Sequence, residues 1–137
     1  MNNSRNHQLC RQAYDRALEV IENCARPRGM IASARARGYP QVWARDTMIT
    51  LLGAVLVHDS RFDRSLKASF RLLMKHQSPL GLIPNNVHIK TLQPSFQAYA
   101  DAGLWFIIGA ANYFDGTGDE AFLKKIYPPV KKALTWY

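Results

Sequence analysis

The sequence predicts an all-α protein built from antiparallel helical hairpins, and three observations predict it. Apolar side chains recur three or four residues apart over residues 5–25, 60–77 and 119–134, which lines one face of an amphipathic helix. Between these segments lie two runs almost without charge, TMITLLGAVLV after Asp46 and AGLWFIIGAA at 102–111. No period-two alternation is long enough to mark a strand. Amphipathic helices alternating with apolar ones give an inner layer covered by an outer layer.

The first helix carries Cys10, Ala13, Tyr14, Ala17, Leu18, Ile21 and Cys24 on one face and ends at Pro27 and Gly29. The second starts around Asp46, with Met48, Leu51, Leu52, Val55 and Leu56 on its stripe; so few charges mark an inner helix with both faces covered. After HDS, residues 60–77 repeat the pattern with Phe62, Leu66, Phe70, Leu73 and Met74, and Arg and Lys fill the outer face. Residues 78–98 carry three prolines and a glycine, and a structureless connection of that length in a small domain predicts a functional loop. A second inner helix follows over 101–115, closed by GTG at 116–118. Asp119 can cap the last segment, where Phe122, Ile126, Val130 and Leu134 recur, and Pro128 and Pro129 are expected to break it into two short helices. The chain stops at ALTWY without a cap, as an interrupted helix would.

With 137 residues, 47% hydrophobic and 20% charged, the composition suits one soluble globular domain and excludes a disordered chain. The formal charge of +8 admits an anionic partner. Its densest patch, RPRGMIASARARG at 26–38, reads as a solvated basic connector in a loop. Cys10 and Cys24 share a helix and stand about 21 Å apart at the helical rise, too far to bridge. His7, His58, His76 and His88 have no common spacing, read as surface or loop residues, and predict no metal site. No run is long enough to span a bilayer and the N-terminus lacks a signal peptide's apolar core, so the expected location is cytoplasmic, with no membrane partner.

The informative stretch is YPQVWARDTMIT at 39–50. It puts Trp43, Arg45 and Asp46 at the threshold of an inner helix, and Asp101 stands at the threshold of the other. An aspartate there can simply cap the helix. Alternatively, Trp43 offers a flat apolar face to a sugar ring while Arg45 and Asp46 supply donors and acceptors for adjacent hydroxyls. Trp43 could equally be core, and Trp105 and Phe106 read as packing residues.

Four pieces, YPQVWARD at 39–46, GLIPNN at 81–86, DAGLWF at 101–106 and TGD at 117–119, occur in the order and approximate spacing of the six-hairpin glycosidases. The chain resembles in particular the amylo-α-1,6-glucosidase domain of glycogen-debranching enzymes. The resemblance implies that residues 1–137 are the N-terminal part of an (α/α)6 toroid, a partial catalytic domain truncated at its C-terminus. It implies that Asp101 is the general acid, and that Asp46 holds sugar hydroxyls with Arg45 beside it and Trp43 lining the pocket. Asn85, in the GLIPN loop, would reach the substrate. An inverting hydrolase also needs a second carboxylate roughly 6.5–9.5 Å from the first. By resemblance that base is a glutamate far downstream, and Glu19, Glu22 and Glu120 do not match it.

The expected substrate is therefore an α-glucan or small α-glucoside, with no cofactor and no metal. The runner-up is a basic helical module for nucleic acid or an acidic protein, using the segment around Arg26 to Arg37. It explains the charge, which a neutral sugar does not require, but nucleic acid is the less favoured partner. Uncovered apolar faces of the inner helices offer a third kind of partner, a further copy of the chain.

Overall fold

Pro27 and Gly29 end the first helix, and the chain then turns back on itself. A computed structural model describes residues 2–34, 38–97 and 100–137, and the side chains from residue 5 onward. Helix α1 (Asn2–Cys24) leads into a two-stranded antiparallel hairpin, β1 (Ala25–Arg26) and β2 (Gly29–Met30), with Pro27 and Arg28 at its turn. The start of the basic stretch is thus a hairpin rather than a loop, while Arg35 and Arg37 lie outside the described residues. Two serines explain the hairpin's position: Ser65 Oγ accepts from Arg26 N at 3.2 Å, and Ser69 Oγ accepts from Met30 N at 2.7 Å. At Gly29, with φ +134°, a Cβ would meet Val42 Cγ2 at 2.7 Å and Ser69 Oγ at 2.9 Å, so only glycine allows this approach.

The chain continues through β3 (Gln41–Trp43), α2 (Ala44–Ala54) with a short 3₁₀ extension (Val55–Val57), and α3 (Ser60–Lys75). His58, in the left-handed region, makes the reversal before α3. Residues 78–97, expected to be structureless, contain β4 (Asn86–His88) and β5 (Pro94–Ser95), which join β3 in a three-stranded antiparallel sheet ordered β3-β4-β5. Strands of two or three residues are too short to show an alternation, which is why the pattern gave no sign of them.

Helices α4 (Ala102–Thr117) and α5 (Glu120–Leu134) complete the chain. Gly118, with φ +65°, caps α4 by donating to Phe114 O at 2.7 Å, and Asp119 caps α5 by accepting from Phe122 N at 2.9 Å. Helix α5 runs unbroken through Pro128 and Pro129, contrary to expectation. The prolines remove donors for the carbonyls of Lys124 and Lys125, which are solvent-exposed and can bond water, while Phe122 and Ile126 on one side and Ala133 on the other are buried. Leu134, expected on the buried stripe, is exposed and Ala133 takes its place.

Three contacts set the helix directions. Arg45 at the start of α2 meets Asp101 at the start of α4, Met48 lies under Gly109, and Val55 lies under Gly116. The two apolar helices therefore run side by side in the same direction. Asp63 early in α3 receives a hydrogen bond from Tyr113 late in α4, and Tyr137 after α5 bonds Ala100 O before α4. So α3 and α5 run back antiparallel to the inner pair, giving two α-hairpins in two layers, as the alternation predicts. The core between them centres on Phe70, with edge-on rings of Phe106, Tyr113 and Phe122 at 5.3–5.9 Å.

Two expectations about coverage fail. Of the face assigned to α1, only its C-terminal turns reach the core: Cys24 is buried, Leu18 and Ile21 are partly so, and Tyr14 is exposed. The inner helices are covered on one side only, since Ile49 and Leu52 of α2, Leu56 of its 3₁₀ extension, and Leu104 and Ile108 of α4 are exposed. Among the described residues no helix is long and apolar enough to cross a membrane.

Candidate active site

Trp43 is the last residue of β3 and Ala44 the first of α2, so one strand-to-helix junction positions Trp43, Arg45 and Asp46. The junction is tied to the GLIPNN loop by the sheet: Trp43 stands opposite Asn86, and Ala44 N donates to Asn85 O at 2.9 Å. Asn85 N donates in turn to Ser95 O at 2.8 Å, and Asn85 and Asn86 are both buried. At its other end the loop is pinned to α5. Gln77 Nε2 donates to Gly81 O and Pro129 O, at 2.8 and 2.9 Å, and a Cβ on Gly81 would lie 2.2 Å from Lys132 O. Residues far apart in sequence are thus hydrogen-bonded into one rim.

Because α2 and α4 run in parallel, Asp101 arrives at this rim. Arg45 Nη1 donates to Asp101 Oδ2 at 2.9 Å. Both side chains are more than a third exposed, so the pair contributes on the order of 1 kcal/mol or less to stability. What it does is orient: Oδ2 is fixed toward Arg45, and Oδ1 is left for another partner.

Neither aspartate serves as a helix cap. The N-cap of α2 is Trp43, without a side-chain bond, and Asp46 is the third residue of the helix. Asp101 does occupy the N-cap position of α4, but its side chain makes no capping bond. The Asp46 side chain is exposed and makes no hydrogen bond or ion pair with the described residues. It lines a cleft of ≈ 290 Å³ with Arg45, Thr50, Ile49, Ile31 and the end of α1. Arg45 therefore belongs both to this cleft and to Asp101, which does not line it.

Trp43 is half-buried, with Tyr39 edge-on at 6.3 Å. Its indole Nε1 is buried with no hydrogen-bond partner among the described residues, and Gln41 Oε1 is in the same condition. Two residues apart on one strand, these side chains share a face, which thus carries one orphaned donor and one orphaned acceptor. Sequence reasoning misses Gln41; the signal that could find it is its period-two relation to Trp43. Trp105 and Phe106 are packing residues as expected, Phe106 fully buried.

A larger hollow, ≈ 590 Å³, lies at the opposite end of the helices, where α4 ends and α3 begins. Its charged groups are already paired: Lys67 Nζ bridges Asp63 at 3.1 Å and Asp119 at 2.7 Å, Tyr113 donates to Asp63, and Asp59 is held by Arg61 from outside the hollow. The carboxylate of Asp46 and the orphaned indole donor of Trp43 are at the Arg45–Asp101 end. The arrangement offers hydroxyl acceptors at Asp46, donors at Arg45, an aromatic face at Trp43 and an oriented carboxyl at Asp101.

Comparison with curated proteins and with solved structures finds no match. The family profile described as amylo-alpha-1,6-glucosidase matches residues 15–137, a span that holds every motif and both hairpins. The chain belongs to the amylo-alpha-1,6-glucosidase family, and so is close to the glucosidase domain of glycogen-debranching enzymes.

Proposed function

We propose that this chain supplies the sugar-holding and proton-donating part of an inverting α-glucosidase acting on α-1,6 branches of an α-glucan. The observation that carries the reading is the Arg45–Asp101 bridge between the starts of two parallel inner helices, with Asp46 in the same turn as Arg45. Asp101 is the general acid: Oδ1 carries the proton to the glycosidic oxygen while Arg45 holds Oδ2. Asp46 and Arg45 bind adjacent hydroxyls of the glucosyl unit, Trp43 stacks on its ring, and Asn85 shapes the wall. The water-activating base is assigned to no residue of this sequence. On the resemblance it is a glutamate of the second half of an (α/α)6 toroid, so turnover requires that half.

Binding and chemistry can be tested separately. Titrating the ¹⁵N-labelled chain with a small α-1,6-glucoside is expected to move the Trp43 indole N–H resonance and the amides of residues 43–46 and 85–86. Asp46→Asn should weaken binding about ten- to a hundredfold, the loss of a charge-assisted bond worth about 1.5–3 kcal/mol. Asp101→Asn should leave binding within a few-fold and, in a chain extended to hold the base, lower hydrolysis by about 10²–10⁴. Shifts confined to the Asp63–Lys67–Asp119 end would overturn the reading.

A further inference from the structure

The outer face of α3 is basic along its length, but its cations differ in what they face. Arg61 is neutralised by Asp59 and Glu22, and Lys67 by Asp63 and Asp119. Toward the helix end, Arg71 and Lys75 have no carboxylate partner among the described residues, and neither does Arg28 on the β1–β2 turn above them. These three rim a shallow groove of ≈ 320 Å³ whose floor is aliphatic: Pro27, Ala68, Leu72 and Leu92. None of its lining residues is acidic.

A solvated basic face is the ordinary reading of such a surface, and Lys75 suits the negative end of its helix in any case. The groove departs from it because its walls are held in place. Arg28 Nη1 donates to Ile89 O at 2.8 Å, and the Arg71 guanidinium sits 5.4 Å from the centre of the Phe122 ring. Leu92 has φ +59°, a conformation leucine rarely adopts. It is kept there by Leu92 N donating to His88 O at 2.9 Å, and by His88 Nδ1 accepting from the amides of Lys90 and Thr91.

We propose that this groove, formed by α3, the β1–β2 turn and the β4–β5 turn, is a docking site for an acidic peptide segment bearing an aliphatic side chain. Fixed guanidiniums match carboxylates in a bidentate way, and an aliphatic floor takes a leucine-like anchor. A single-stranded nucleic acid would look for aromatic rings to stack its bases, and the floor has none. A neutral glucan would make no use of the charge.

The test is fluorescence anisotropy on the 137-residue chain with a labelled peptide of alternating glutamate and leucine, run beside a labelled oligothymidylate of equal charge. The peptide is expected to bind in the micromolar range at low salt and to weaken several-fold when its leucines become serine. Arg28→Glu with Lys75→Glu should weaken it at least tenfold, whereas the charge-matched pair Arg5→Glu with Arg11→Glu on α1 should change it less than twofold. Circular dichroism melts identify any variant that has lost its fold. Absence of peptide binding, a loss not confined to the groove variant, or tighter oligothymidylate binding through the same residues would each overturn the proposal.

Discussion

Lys67 sits where three helices meet, bonding Asp63 on its own helix and Asp119 at the start of α5, with the Tyr113 ring of α4 at 5.9 Å. The Lys67 ammonium, helped by the Phe122 amide, holds the Asp119 carboxyl below the usual range, and Arg61 holds Asp59 down to about 2. Asp119 in turn raises Lys67, while burial and then Asp63 push the Tyr113 hydroxyl up to about 12. Depressed carboxyls stabilise the fold above their unfolded value of about 3.9 and lose that contribution as pH falls through the folded value. The raised Lys67 and Tyr113 contribute fully below their unfolded values of about 10 and lose it as pH rises further. Thermal stability should therefore be flat between about pH 5 and 9 and fall on both sides. Lys67→Met is expected to lower the plateau, to raise Asp119 toward the ordinary carboxylate range in an NMR titration, and to leave the Arg61-held Asp59 unchanged. An acid limb of the melting curve identical in both proteins would show that Lys67 does not hold Asp119.

At the scale of elements, what the sequence makes legible follows from how much local chemistry each element carries. The inner helices α2 and α4 and the caps at Gly118 and Asp119 are readable because long apolar runs and left-handed or capping residues act locally. The three-stranded sheet is not, because each strand is two or three residues long and exists only through partners up to forty-odd positions away. Helix α5 defeats local reading in the other direction, since burial of Phe122, Ile126 and Ala133 outweighs two prolines. Arg45, Asp46 and Asp101 stand out in the sequence one by one, but the Arg45–Asp101 bond depends on the parallel course of α2 and α4. That course rests on glycines: a Cβ at Gly109 would lie 2.2 Å from Met48 Sδ and 3.1 Å from Met48 Cβ, and Met48 is fully buried. Gly109→Ala should cost about 1–3 kcal/mol in overpacking, more than the roughly 1 kcal/mol alanine gains as a helix former. Gly53, also helical, would have nothing within 4 Å of an added Cβ, so Gly53→Ala should gain about 0.5–1 kcal/mol. Urea denaturation of the two variants measures both, and a stabilised Gly109→Ala would mean the inner helices have room to part.

For the whole molecule, the decisive feature is that the inner helices are covered on one side and open on the other. Helices α3 and α5 cover one side of α2 and α4, and on the uncovered side Ile49 and Leu52 of α2 are followed by Leu56 of its 3₁₀ extension, while α4 shows Leu104 and Ile108 one turn apart. Each is 39–67% exposed, and no charged residue interrupts either stripe. Contiguous apolar surface of this kind is removed from water when it can be, at about 25 cal/mol for each Å² covered. Exposed glycine and alanine on the same helices, Gly53 and Ala111, add no polar rim to oppose contact. Net charge of +8 opposes association by general repulsion, which salt screens within about 10 Å at 0.1 M. Self-association through this face is the expected behaviour of the chain by itself, and it should strengthen with salt, the reverse of a charge-driven complex. Sedimentation equilibrium should give a mass that rises with concentration and rises further between low and moderate salt. Leu52→Lys with Leu104→Lys should hold the chain monomeric with its circular dichroism unchanged. A wild-type chain that stays monomeric at millimolar concentration and moderate salt would show that the open face is stable in water as it stands.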